Sequence, residues 1–204
     1  MENAWEKHWQ RFSSLSETGT VYGKLATKWK LQLIDKVANS ILQKHFRVLD
    51  IGCGSGDSLE VFRRNGFIKL YGIDASPSAV KRCKRKGFSN IFLEDARKTS
   101  FPNGKFQVVF EEGLWEHYRN YEPFVKEACR LSSDYLVALQ PNHFSLLGAT
   151  TKIGWELVSK QKGGVREYSI PLNYFKQLIL ASGFKLTREL FTPFHGYSCM
   201  IFRR

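Results

Sequence analysis

The chain has 204 residues, enough for one well-buried domain and too few for two comfortable ones. Its 43% hydrophobic content suits a soluble globular protein, no apolar run approaches membrane-spanning length, and the first residues do not read as a secretory signal. An excess of 31 basic over 19 acidic residues, net +12, favours an anionic partner such as nucleic acid or a membrane surface, although the spread of these residues along the chain also describes a plain solvated surface.

Taken in order, residues 2–12 carry Trp5, Trp9 and Phe12 at helical spacing and predict a short amphipathic helix. Ser13 to Thr20 is polar and turn-rich. A longer helix is expected over about Lys24–Gln43, with Leu25, Trp29, Leu33, Val37 and Ile41 on one stripe. Val48–Ile51 reads as a short strand, followed by the run Gly52-Cys53-Gly54-Ser55-Gly56-Asp57 and then by Leu59, Val61 and Phe62 at helical spacing. Strand, glycine loop and helix make the first unit of a doubly wound α/β domain, whose ligand sits beyond the carboxyl ends of the strands.

Ile68–Asp74 is a second strand ending in an acid, and Ser76-Pro77 starts the next helix as N-cap and first residue. Asn90–Leu93 and Lys105–Phe110 read as the third and fourth strands. Tyr121–Leu131 reads as a helix, and Tyr135–Leu139 as a fifth strand broken at Pro141. Residues 142–170 form a long insertion containing Trp155 and the Gly163-Gly164 pair. Leu172–Ala181 is the last helix, stopped at Gly183, and Phe184–Phe191 and Tyr197–Phe202 form a terminal hairpin.

Charge selects the ligand of the loop. A dinucleotide fingerprint needs glycine at its first, third and sixth positions, which here are Gly52, Gly54 and Asp57. Asp57 stands at a helix N-terminus where a pyrophosphate would bind, and Asp50 adds a second carboxylate. Both repel phosphate and suit a ligand bearing ammonium and sulfonium groups, which points to S-adenosylmethionine. Asp74 lies 22 positions after Gly52, close to the separation of about 20 expected of a carboxylate that bonds ribose hydroxyls. The four cysteines (Cys53, Cys83, Cys129, Cys199) are far apart and form no CxxC pair, so a reducing cytoplasm fits best.

The acidic-x-Gly-x-Gly-x-Gly run from Asp50 to Gly56 resembles the first motif of the class I S-adenosylmethionine-dependent methyltransferases. Glu111 to His117 resembles the Leu-Glu-His-like segment of their type 11-like branch, with Trp115 in place of leucine and Gln107 in place of an aspartate. The resemblance implies a Rossmann-like seven-stranded sheet with a C-terminal antiparallel hairpin and N-terminal covering helices within residues 1–45. It implies a cofactor site of Asp50, Gly52, Cys53, Gly54, Gly56, Asp74 and Ala75. The resemblance further implies that Asp95 accepts from the adenine amino group, that the Ala96 backbone meets the ring, and that Glu111 and Glu112 lie near the methionine portion and the transferring methyl. Tyr22 and Trp29, with Trp155 in the 142–170 insertion, are expected on the substrate side. The N-terminal segment and the insertion, hinged at Gly163-Gly164, are expected to close as a lid.

Methyl transfer from a sulfonium is an in-line displacement on an activated donor, so positioning supplies much of the catalysis. A base is needed when the acceptor is protonated; His117 is the first candidate and His143 the second. The chain lacks Asn/Asp-Pro-Pro-Tyr/Phe after the fourth strand, lacks a Pro-Cys nucleophile, and has no metal-ligand spacing that stands out. The expectation is a single-domain, metal-independent enzyme acting on O, N or S of a small molecule. An RNA-modifying enzyme and an inactive cofactor-binding subunit are the alternatives.

Overall fold

The computed structural model describes residues 2–11, 21–41, 43–150, 152–153, 156 and 165–204. Val48, Leu49 and Ile51 are fully buried, so β1 (Arg47–Ile51) meets apolar groups on both faces and sits centrally. It pairs in parallel with β2 (Lys69–Asp74) on one side and β4 (Phe106–Glu112) on the other. β3 (Ile91–Leu93) lies outside β2, and β5 (Ser132–Pro141) outside β4. β7 (Tyr197–Arg203) runs antiparallel between β5 and β6 (Lys185–Phe191), giving the order 3-2-1-4-5-7-6. The expected seven strands and terminal hairpin are present. Strand order reverses between β1 and β4, so the crevice for a ligand opens at their carboxyl ends.

Helices cover both faces. On one, Leu33 and Val37 of α2 (Val21–Ser40), Phe62 of α3 (Asp57–Arg64) and Cys83 of α4 (Pro77–Arg85) pack on Val48, Val108 and Val137. On the other, Phe124 and Leu131 of α5 (Glu122–Leu131) and Phe175 of α6 (Leu172–Ala181) pack on Leu49, Val109 and Leu136. Phe62 is fully buried, edge-on to Phe67 and Phe110 at 5.3 and 5.5 Å. Its truncation to alanine costs about 3–5 kcal/mol. α1 (Glu2–Arg11) belongs to neither layer and lies across the carboxyl edge near α4.

Two local expectations are corrected. The buried stripe of α2 is Ala26, Leu33, Ile34, Val37 and Ala38, continued by Ile41 just past its end, whereas Leu25 is 39% exposed and Trp29 is half-buried. Strict four-residue spacing overshoots each helical turn by about 40°, so a stripe begun at Ile41 winds off the core by Leu25. Pro141 does not break β5 early: it is the last paired residue, opposite Tyr197, where the missing donor removes only a terminal bond. Among the described residues, no helix is long and apolar enough to cross a membrane.

Candidate active site

The end of β1 is shaped by backbone. Gly52 and Cys53 donate their N–H groups to the Ile73 carbonyl at 2.8 and 2.9 Å, turning the chain across the end of β2. Gly54 has φ +51°, and a Cβ there would stand 2.4 Å from the Trp9 ring, so only glycine fits. Asp74 accepts from Gly54 N at 2.9 Å and Ser76 N at 2.8 Å. Burial raises its pKa to about 6 against the pull of those donors. Two oxygens offer about four lone-pair sites, so Asp74 keeps capacity for ribose hydroxyls. Asp50 lies buried under the loop, its carboxyl pushed well above the usual range by burial and then by the Glu112 charge.

A cleft here is lined by Asp50, Gly52, Cys53, Gly54, Ser58 and Glu112, with Trp9 as its roof. Gly56, at φ +78°, caps α3 just beyond. Asp57 is not the bare charge its position suggests, because Lys86 Nζ pairs with it at 2.7 Å and Ser55 Oγ donates to it at 2.8 Å. Ala75 is half-buried after Asp74. Asp95 and Ala96 stand farther along the same edge, outside the cleft lining. The Arg97 guanidinium bonds Asp95 and holds its pKa below the ordinary value.

Glu111 and Glu112 diverge, because successive residues of a strand point to opposite faces. Glu112 faces α2 and α3, where Lys30 Nζ pairs with it at 2.7 Å and Ser58 Oγ donates at 2.6 Å. Burial works to lower the Lys30 pKa, and the Glu112 carboxylate more than offsets it, leaving the ammonium firmly charged. Glu111 faces the other side and does not line the cleft. Gln140 Nε2 donates to both its oxygens at 2.8 and 2.7 Å, and Leu114 N donates at 2.6 Å. Burial nevertheless raises its pKa to about 8.

After β4, Trp115–His117 forms one tight turn strapped to a later segment. Tyr168 N donates to the Glu116 carbonyl at 2.7 Å, and His117 Nδ1 bonds the Arg166 carbonyl at 2.8 Å. Glu167 is thereby brought opposite the turn, 3.2 Å from His143 Nε2. Ligand atoms of Glu116, His117 and Glu167 all lie within 4.8 Å of one another. Burial pushes the Glu116 carboxyl well above its usual range, with the Glu111 and Glu167 charges adding to it. Burial also lowers the pKa of His117, against Glu167 and the Arg166 carbonyl. The two base candidates thus share one cluster.

α1 closes this edge. Glu6 accepts from Ser76 Oγ, Ser78 Oγ and Ser78 N at the start of α4, and Arg82 donates to the Trp9 carbonyl at 2.7 Å. Trp5 meets His117 edge-on at 4.8 Å. Glu6, Lys30, Gln140 and Glu167 were not foreseen; each is an isolated polar residue whose neighbours come from distant sequence. Trp29 is one position from Lys30, about 100° around the helix. The Tyr22 side chain, Trp155 and Gly163-Gly164 lie outside the described residues.

A family model described as a methyltransferase domain matches residues 49–134, from the glycine loop through the Glu116-His117 turn. Residues 49–134 thus match a methyltransferase domain, and the fold is that of the class I S-adenosylmethionine-dependent methyltransferases. It is 33% identical over 88 residues to 2-methyl-6-phytyl-1,4-hydroquinone methyltransferase of Synechocystis, covering 41% of this chain and 28% of that protein. It is 26% identical over 196 residues to EEF1A lysine methyltransferase 2 of Homo sapiens, covering 93% of this chain and 74% of that one. The fold matches magnesium protoporphyrin IX methyltransferase of Synechocystis with bound SAH at TM-score 0.72 and 18% identity, covering 91% of this chain and 87% of that one. The cofactor of this family is S-adenosylmethionine. The residues present fit it: the glycine backbone allows close approach, and Asp74 and Glu112 offer acceptor oxygens to hydroxyl and ammonium groups.

Proposed function

We propose that this chain is a metal-independent methyltransferase acting on O, N or S of a small molecule, with residues 1–204 forming a single catalytic domain. When bound, S-adenosylmethionine supplies an electrophilic methyl on sulfur. Asp74 holds the ribose side, the Gly52–Gly56 backbone passes under the methionine portion, and Glu112 carries the charge toward its ammonium. His117 serves as the base at the acceptor, and α1 excludes water. The carrying observation is that a buried imidazole with lowered pKa stands beyond the glycine cradle, on the turn that follows Glu112. A lowered pKa keeps that imidazole neutral, as a base must be before reaction. Four buried, free cysteines support a reducing compartment, which we take to be the cytoplasm.

A second reading has a specific support. The likeness to EEF1A lysine methyltransferase 2 extends over 93% of this chain, which favours a lysine side chain of a protein as acceptor. The test is calorimetry with S-adenosylhomocysteine, followed by labelled-methyl profiling of metabolite, RNA and protein fractions. Binding of S-adenosylhomocysteine but not NAD is expected, with label entering the metabolite fraction. Absence of S-adenosylhomocysteine binding overturns the enzyme reading.

A further inference from the structure

Three carboxyls meet at the carboxyl ends of β1 and β4: Asp50 under the glycine loop, Glu111 beside Gln140, and Glu112 on the cleft wall. Asp50 and Glu111 are 2% and 0% exposed, and the Glu112 side chain is 12% exposed. Carboxyls whose charges act on one another do not all ionise, and burial makes each bare charge costly. Among the described residues, Glu112 alone of the three pairs with a cation, Lys30 Nζ at 2.7 Å, and Ser58 Oγ donates to its other oxygen at 2.6 Å. Burial raises the pKa of Asp50 and of Glu111, the latter to about 8, and the Glu112 charge adds to both.

Lys30 is not placed as a surface lysine. Its side chain is 12% exposed, and Nζ lies 5.4 Å from the centroid of the Tyr197 ring of β7. The other titratable groups that face it are Glu116 and His117 of the turn after β4. Burial raises the Glu116 carboxyl and lowers the His117 imidazole, which favours the neutral form of both. Cys199 of β7, which also feels the Glu112 charge, is a thiol raised by burial. Glu112 is therefore the counter-charge of Lys30. The pair has a direction: Glu112 lines the cleft with Asp50 and the Gly52–Gly54 backbone, and Lys30 does not line it. A cation in the cleft meets the negative end of the pair first.

We propose that Lys30 is a positioning residue: its ammonium fixes the negative charge of this three-carboxyl cluster on Glu112 and so prepares the cleft for the ammonium of the cofactor's methionine portion. This rests on the methyltransferase reading. Without Lys30, Glu112 becomes a nearly buried carboxylate with no counter-charge beside two other carboxyls, a state relieved by taking up a proton. A neutral carboxyl forms weaker bonds to an ammonium than a carboxylate does. The ribose side is built on Asp74 and on backbone N–H groups, none of which Lys30 touches, so it stays as it was.

The test compares two ligands by calorimetry. S-adenosylhomocysteine carries the ammonium; 5′-methylthioadenosine keeps the nucleoside and the thioether and lacks it. At about pH 7, Lys30→Met should weaken S-adenosylhomocysteine at least tenfold more than it weakens 5′-methylthioadenosine. The ratio of wild-type to Lys30→Met affinity for S-adenosylhomocysteine should shrink as pH rises from about 6.5 to about 8.5, because the variant gives up the proton on Glu112. Taking the ratio cancels the titration of the ligand and of Asp74. Lys30→Gln, which keeps a donor and loses the charge, gives the same readouts should Lys30→Met not fold. Failure of the wild-type protein to bind S-adenosylhomocysteine defeats the methyltransferase reading instead. A smaller difference between the two ligands, or a ratio that does not shrink with pH, would each overturn the proposal.

Discussion

The two ends of the site are held by different means. At the β1–β2 end, the groups that contact each other are backbone or nearly so: Gly52 and Cys53 bond Ile73, and Gly54 and Ser76 bond Asp74. At the β4–β5 end, the contacts are between side chains drawn from α2, the Trp115–His117 turn, β5 and the segment before α6. The first end is a rigid cradle whose chemistry is fixed by conformation. The second is a charge assembly whose protonation each partner sets for the others. A cofactor shared across a family suits the former, and an acceptor peculiar to one enzyme suits the latter.

This contrast can be broken by substitution. Gly54→Val is expected to abolish S-adenosylhomocysteine binding, a loss of at least about 3 kcal/mol from strain at positive φ and overpacking against Trp9. Calorimetry that still shows binding would move the cradle elsewhere. At the other end, His117→Asn should lower turnover about 10²–10⁴-fold while leaving S-adenosylhomocysteine affinity nearly intact. A rate loss under about threefold would leave His117 a purely structural strap to Arg166.

Asp74→Ala should weaken the cofactor product by about 1.5–3 kcal/mol, the scale of bonds to a charged group. Its pKa near 6 adds a pH signature. The ionised form is the better hydroxyl acceptor, so affinity should be full above pH 6 and fall as pH drops through it. Fold stability should move the opposite way. An acid whose folded pKa is raised binds its proton more tightly when folded, so its contribution grows as pH falls from about 6 toward 3.8. The smallest effect belongs to Glu6. The Ser76 and Ser78 hydroxyls lower its pKa to about 2, so the α1 tether should be complete above the ordinary glutamate value of 4.5 and lost as pH falls toward 2. Glu6→Gln should raise hydrogen exchange in α1 several-fold at neutral pH and leave the sheet unchanged.

The sequence made the cradle end legible because its determinants are contiguous. Glycine spacing, the strand before it, and Asp74 at a fixed separation are one-dimensional signals, and the strand order follows from them. The β4–β5 end was half visible: His117 and His143 were identified as candidate bases and Glu111 and Glu112 as candidate cofactor contacts, but their partners were not. Lys30 reads as an ordinary helix lysine until α2 is laid against β4. Glu167 sits in a polar stretch that gains meaning only when Tyr168 N bonds the Glu116 carbonyl. Adjacent Glu111 and Glu112 read alike in one dimension, and only the pleat sends them to opposite faces of the sheet.

Trp9 lies directly on Gly54, in contact with the ground a ligand must cover. Indole emission responds to charge and polarity at close range, so this packing makes the loop self-reporting. Occupation of the cradle should shift the protein's intrinsic fluorescence without any added label. The sulfonium of S-adenosylmethionine and the neutral thioether of its product should leave different spectra. Trp9→Phe should erase that difference while the emission of the buried Trp115 remains.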